Sequence, residues 1–236
     1  MVKRVLVVLF SMLFVITIVA GYFIFLSPSR INLNAAYVIP WIRNPSAHPD
    51  WAVTALEICR DSPFVMPTSG LIGYIWGDSF RPGHRHQGID IFGRQVAGVT
   101  PVYAVADGYL SRLADWKSTV IIRIPSDPFL PSRQIWTYYT HMADSSGTTY
   151  IVSDFPPGTV ETFVKAGTLL GYQGNYSGAA GNPVGVHLHF SIVRDNGNGK
   201  FLNELDFFDT LDPSPYFGLS LNKKFGVVFP IKCSGK

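Results

Sequence analysis

The sequence predicts a mainly β domain, an antiparallel β-sheet sandwich or open barrel, behind one N-terminal transmembrane helix. Three observations predict this. Short runs rich in Val, Ile, Thr, Tyr and Phe recur at close spacing from Pro67 onward. The 22 glycines and 17 prolines break the chain too often for long helices. One stretch is different in kind: residues 5–29 contain no Asp, Glu, Lys or Arg.

The elements follow in chain order. Residues 1–4 form a short tail in which Lys3 and Arg4 keep the cytoplasmic side. Val5–Leu26 is an apolar run of 22 residues, and about 20 suffice to cross a bilayer as a helix. The competing reading is a cleaved signal peptide. The run exceeds the apolar core of such a peptide, roughly 7–15 residues, and the nearest small-x-small site, Val19 to Gly21, lies inside it. An uncleaved signal anchor is therefore expected, with the rest of the chain extracytoplasmic, or secreted if the anchor is cleaved. Residues 27–60 read as a linker with a short helix over 51–60 capped by Asp50. Residues 61–236 form the domain. Strands are expected at Gly88–Ile91, Val102–Ala106, Tyr109–Leu113, Thr119–Ile124, Ile135–His141, Thr168–Tyr172 and Gly185–Val193. Asp107-Gly108 signals a hairpin turn between two of them, and Pro125–Arg133 a long hairpin loop.

Composition excludes two classes. The chain is 47% hydrophobic and 15% charged, which is too apolar for disorder. Its net charge of +3 is too weak a field for a nucleic-acid binder. The two cysteines, Cys59 and Cys233, are either a disulfide suited to an oxidising compartment or two buried thiols. They are too few and too far apart for a cysteine zinc site.

The six histidines carry the chemistry. His86-x-x-x-Asp90 and His187-x-His189 have metal-ligand spacing, and strand alternation lets each pair present its side chains to one face of a sheet. Two histidines and one carboxylate make a zinc site with an open fourth position, the composition of a catalytic centre. No His-Glu-x-x-His motif occurs, and none of the three glutamates (Glu57, Glu161, Glu204) adjoins a histidine. A glutamate base is therefore not expected. The base is sought instead in His141 and one member of the His187/His189 pair. His48 and His84 read as ordinary histidines of the linker and the motif flank.

These residues resemble the lysostaphin/LytM-type zinc metallopeptidases. The resemblance is carried, in order, by His86-Gln-Gly-Ile-Asp90, Thr100-Pro-Val-Tyr-Ala104, Asp107-Gly108, Tyr139-Thr-His-Met142, Val164–Gly171, Gly174-Asn175, His187-Leu-His-Phe190 and Leu211-Asp-Pro213. It covers about residues 67–217. It implies a mostly antiparallel β-sheet of the duplicated-hybrid-motif type, forming a groove over one zinc ion. It implies His86, Asp90 and His189 as ligands, and His141 and His187 as catalytic residues, one taking a proton from water and the other stabilising charge. Tyr139 and Asn175 are expected at the substrate, with cross-strand packing as the alternative for Tyr139. The implied reaction is hydrolysis of peptide bonds in peptidoglycan cross-links or stems. The competing readings are a non-catalytic module that activates an amidase or binds an envelope partner, and a metal hydrolase on another substrate. Three features depart from the family pattern. Val186 stands where proline is common, the loops Asn175–Gly185 and Pro125–Arg133 are long, and Phe80 replaces a tyrosine found in some glycine-bridge-cutting members. Asn32, Asn34 and Asn44 lie upstream as potential fourth ligands of a latent state.

Overall fold

The computed structural model describes residues 12–19, 34–60, 62–78, 84–219 and 229–233. Ten strands are assigned among them: β1 (Leu71–Tyr74), β2 (Ile89–Phe92), β3 (Pro101–Tyr103), β4 (Gly108–Ser111), β5 (Val120–Ile124), β6 (Ile135–Thr140), β7 (Thr162–Val164), β8 (Leu169–Tyr172), β9 (Leu188–Arg194) and β10 (Thr210–Leu211). The main sheet has eight strands in the order β1-β2-β9-β6-β5-β4-β7, with β10 also on β9. Every pair in it is antiparallel. β3 and β8 form a separate two-stranded sheet.

Side-chain alternation divides the main sheet into two faces. Ile89, Ile91, Val120, Ile122, Tyr139, Leu188, Phe190 and Ile192 enter the main core, where Val102 and Leu170 of the small sheet join them. Asp90, Tyr138, Thr140, His189 and Ser191 occupy the intervening positions and so take the opposite face. The functional groups thus lie on a sheet packed from behind by the apolar core.

Each of the seven expected strands overlaps an observed one, and the 125–133 loop does connect the antiparallel pair β5–β6. The Asp107-Gly108 hairpin does not form. β3 pairs with β8 while β4 pairs with β5 and β7, so this turn moves the chain between sheets. Asp107 accepts a hydrogen bond from the Ala166 amide at 2.8 Å instead.

The helix expected over 51–60 is also absent. Leu56 and Arg60 have φ of 64° and 55°, which no right-handed helix permits. Val53 pairs with Gly70, and Cys59 enters the core. The helix lies upstream instead, as α1 (Ala35–Arg43), with Pro40 inside it. Val38 and Trp41 form its buried face against Leu71 and Phe92. The Trp41 indole donates to the Phe92 carbonyl at 2.7 Å. Tertiary docking overrides a proline that by itself argues against a helix.

Residues 12–19 are helical and exposed, and the rest of the expected 5–26 anchor lies outside the described residues. Among the described residues no helix is long and apolar enough to cross a membrane.

Cys59 and Cys233 form a disulfide across 174 residues. Replacing both with serine is expected to lower the unfolding free energy by up to about 5 kcal/mol in the loop-entropy account, read as a lower denaturant midpoint with a steeper slope, because the unfolded chain expands.

Candidate active site

Strand register assembles the site. Asp90 on β2 sits opposite His189 on β9, and His189 sits opposite Thr140, the last residue of β6. His141 follows directly, with φ of 72°. That left-handed turn ends the strand at the residue whose ring enters the site. Gly88 allows β2 to approach β9, because a Cβ there would lie 2.1 Å from the Phe190 carbonyl oxygen.

His86 lies before β2, so strand alternation does not orient it. Backbone hydrogen bonds with residues 77 and 78 hold it, from Gly77 N to His86 O at 2.8 Å and from His86 N to Asp78 O at 2.7 Å. Its ring Nδ1 lies 3.1 Å from the Ile75 carbonyl. A carbonyl can only accept, so Nδ1 carries a proton, and Nε2 faces Asp90 and His189.

His86 Nε2, Asp90 Oδ1 and His189 Nδ1 converge at separations of 3.0, 3.0 and 2.8 Å. All three residues are buried. Tetrahedral bonds of about 2.1 Å would space such donors about 3.4 Å apart, so the set fits a small divalent cation after a slight opening. A proton on His189 is the alternative occupant. Burial alone would lower the pKa of this imidazole, but Glu204 and Asp90 raise it to about 10. Burial opposes the charge on Asp90 as well, yet the neighbouring histidines hold its pKa well below the usual carboxylate range. The cluster is therefore anionic enough to demand a positive partner.

His141 and His187 stand beside this cluster, their ring centroids 4.5 Å apart. His141 Nδ1 lies 2.6 Å from the Tyr176 carbonyl, and His187 Nδ1 lies 2.6 Å from the Gly185 carbonyl. Both therefore donate from Nδ1 and keep Nε2 as an acceptor. His187 Nε2 is 3.7 Å from Asp90 Oδ1. Burial lowers both pKa values, that of His141 to about 3 with help from His187 and His189. The two rings are neutral at physiological pH, as proton acceptors must be. The Phe92 ring stacks on His187 at 4.9 Å, and Trp41 of α1 grips the Phe92 carbonyl from behind.

The groove above these groups has a volume of about 530 Å³. All five histidine and aspartate site residues line it, together with Trp116, Tyr138, Tyr176 and Glu204. Tyr139 and Asn175, expected at the substrate, do not line it. Tyr139 is fully buried, with its hydroxyl accepting from the Val105 amide at 3.0 Å. Alternation along β6 sends Tyr138 to the groove and Tyr139 to the core, so the packing alternative holds. Asn175 acts through its backbone, bonding Ala143 and Val184.

One glutamate does reach the site, which the motifs do not indicate. Glu204 Oε1 lies 2.8 Å from His189 Nε2. No local pattern announces this, because the two are 15 residues apart. Of the upstream asparagines, Asn34 donates to Asp78 at 2.6 Å, Asn44 caps α1 on the surface, and Asn32 lies outside the described residues, as does Phe80.

A mainly antiparallel sheet thus carries a histidine–aspartate cluster in a groove. Residues 84–203 match the sequence profile described as Peptidase family M23, and the chain belongs to that family, whose LytM-type branch its motifs follow. Peptidases of this family are zinc-dependent.

Solved structures similar to it include three peptidases. A putative glycyl-glycine endopeptidase LytM from Ruminococcus gnavus is 25% identical, with 55% of this chain and 44% of that one covered and a TM-score of 0.37. Lysostaphin from Staphylococcus simulans is 16% identical, with 70% and 55% covered and a TM-score of 0.39. The catalytic domain of the prophage-encoded M23 protein EnpA from Enterococcus faecalis is 21% identical, with 64% and 97% covered and a TM-score of 0.36. The chain thus spans about half the length of the first two. No curated protein sequence matches it.

Proposed function

We propose that this chain is a zinc-dependent endopeptidase that hydrolyses peptide bonds of peptidoglycan, held at the outer face of the membrane by its N-terminal apolar segment. The observation that carries the reading is the convergence of His86 Nε2, Asp90 Oδ1 and His189 Nδ1 beside two neutral histidines in one groove. His86, Asp90 and His189 would hold the one zinc. When bound, zinc supplies Lewis acidity to the scissile carbonyl and makes water a nucleophile near neutral pH.

The chain's own groups do the rest. His141 and His187 offer Nε2 lone pairs, and one of them takes the proton of the attacking water. The resulting imidazolium is held by its Nδ1 bond to a backbone carbonyl and delivers that proton to the leaving amide nitrogen. The second neutral ring sits close enough to share the charge as it develops. Burial makes either ring reluctant to hold a proton for long, which favours its return. The 22-residue, largely apolar run Val5–Leu26 supports the anchor, with Lys3 and Arg4 on the cytoplasmic side.

The full chain, purified with zinc, is expected to release peptides from peptidoglycan, and mass spectrometry of the fragments names the bond cut. Zinc bound with no release from walls of several chemotypes would instead support the non-catalytic envelope module.

A further inference from the structure

Glu204 belongs to none of the motifs, and the mechanism above does not use it. Its side chain is 11% exposed, and its Oε1 accepts from two groups of one strand, His189 Nε2 at 2.8 Å and Ser191 Oγ at 3.1 Å. Ser191 lies two residues after His189 and so shares its face of β9. The segment that carries Glu204 is fixed on both sides. Leu202 N donates to the Arg194 carbonyl at 3.0 Å, and Gln87, the neighbour of His86, donates to the Leu205 carbonyl at 2.9 Å. The carboxylate is thus placed by the same elements that place two members of the metal cluster.

A neutral imidazole has two tautomers, and only one leaves Nδ1 free. Committing Nε2–H to Glu204 selects that tautomer and fixes the plane of the ring. His189 Nδ1 is then the nitrogen that faces His86 Nε2 at 3.0 Å and Asp90 Oδ1 at 2.8 Å. Charge points the same way. Asp90 and Glu204 together carry two negative charges beside histidines that ligate in the neutral form, so a divalent cation leaves the buried site neutral. Without Glu204 the loaded site would bury a net positive charge, which is costly.

We infer that Glu204 is a positioning residue for the metal centre: through its hydrogen bond to Nε2 it orients His189 with Nδ1 toward His86 and Asp90 and tightens the hold on a divalent cation. Ser191 holds Glu204 in turn. The inference rests on the reading of His86, Asp90 and His189 as zinc ligands.

The test uses the full chain stripped of metal, as wild type, Glu204→Gln and Glu204→Ala. Zinc affinity is measured by competition with a chromophoric chelator at neutral pH. Thermal melting of the metal-free forms and the downfield imidazole N–H proton of His189 in the zinc-loaded forms are recorded alongside. The expected result is a zinc Kd raised by roughly 10- to 100-fold in both variants, the range seen when such outer partners are removed. The Gln variant, which keeps an acceptor for His189 Nε2, should stay folded without metal, and the downfield proton should be lost from the Ala variant. A purely structural glutamate would move the melting temperature and leave the zinc Kd of the folded Gln variant alone. If Glu204→Ala fails to fold, the isosteric Gln variant decides. A Gln variant whose Kd stays within about twofold of a tight wild type overturns this inference and leaves the zinc reading standing. A wild type that binds no zinc overturns both.

Discussion

Replacing His86 or His189 with alanine is expected to abolish stoichiometric zinc binding and to lower peptidoglycan hydrolysis by about a thousandfold or more. Each residue supplies one of three converging acceptors, and the two left behind cannot enclose a cation. The fold should survive the change. In the metal-free chain the three groups hydrogen-bond one another at 2.8–3.0 Å, so each variant also loses some stability, and metal binding is measured on the folded fraction. Elemental analysis of zinc per chain, set beside the release of soluble wall fragments, checks this directly. An alanine variant that kept its zinc would remove that residue from the ligand set.

Replacing His141 or His187 should give the opposite signature: zinc retained near one per chain, and kcat lowered by about 10²–10⁴ with little change in KM. Asparagine is the informative substitute at position 141, because it tolerates the left-handed φ of 72° that alanine resists. The same variant has a measurable pH effect. Burial depresses the folded-state pKa of His141 to about 3, below its ordinary value of 6.5. The unfolded chain therefore takes up the proton first, and this residue's contribution to stability, complete above pH 6.5, is lost as pH falls toward 3. His141→Asn should flatten that acid loss. The effect should be about 2 kcal/mol at pH 5 in denaturant unfolding of the metal-free protein.

Much of this site can be read along the chain, because its parts are short-range patterns. His86 to Asp90 spans four positions and His187 to His189 two, and β-branched and aromatic neighbours mark the strands around them. The seven expected strands are found for the same reason. Failures occur where a remote partner decides the outcome. α1 contains Pro40, yet it is helical because Val38 and Trp41 dock on Leu71 and Phe92. Asp107-Gly108 looks like a hairpin, but the strands it joins have better partners in different sheets. Tyr139 and Tyr138 are adjacent tyrosines in one strand, and only the burial of one face tells core from groove.

The sequence by itself determined the inventory: mainly β structure, an apolar N-terminal run, five candidate site residues in metal and catalytic spacings, and a cysteine pair that left bonded and free states open. Tertiary structure alone decided how these meet. It bonded Cys59 to Cys233, set Asp90 opposite His189, turned His141 into the groove and seated the N-terminal α1 behind Phe92 and His187. It also brought Glu204 to His189, a carboxylate that no spacing rule would have chosen. The reason is physical. Periodicity and turn chemistry act over a few residues. Strand register and burial act between segments distant in sequence, and they determine which lone pairs face one another.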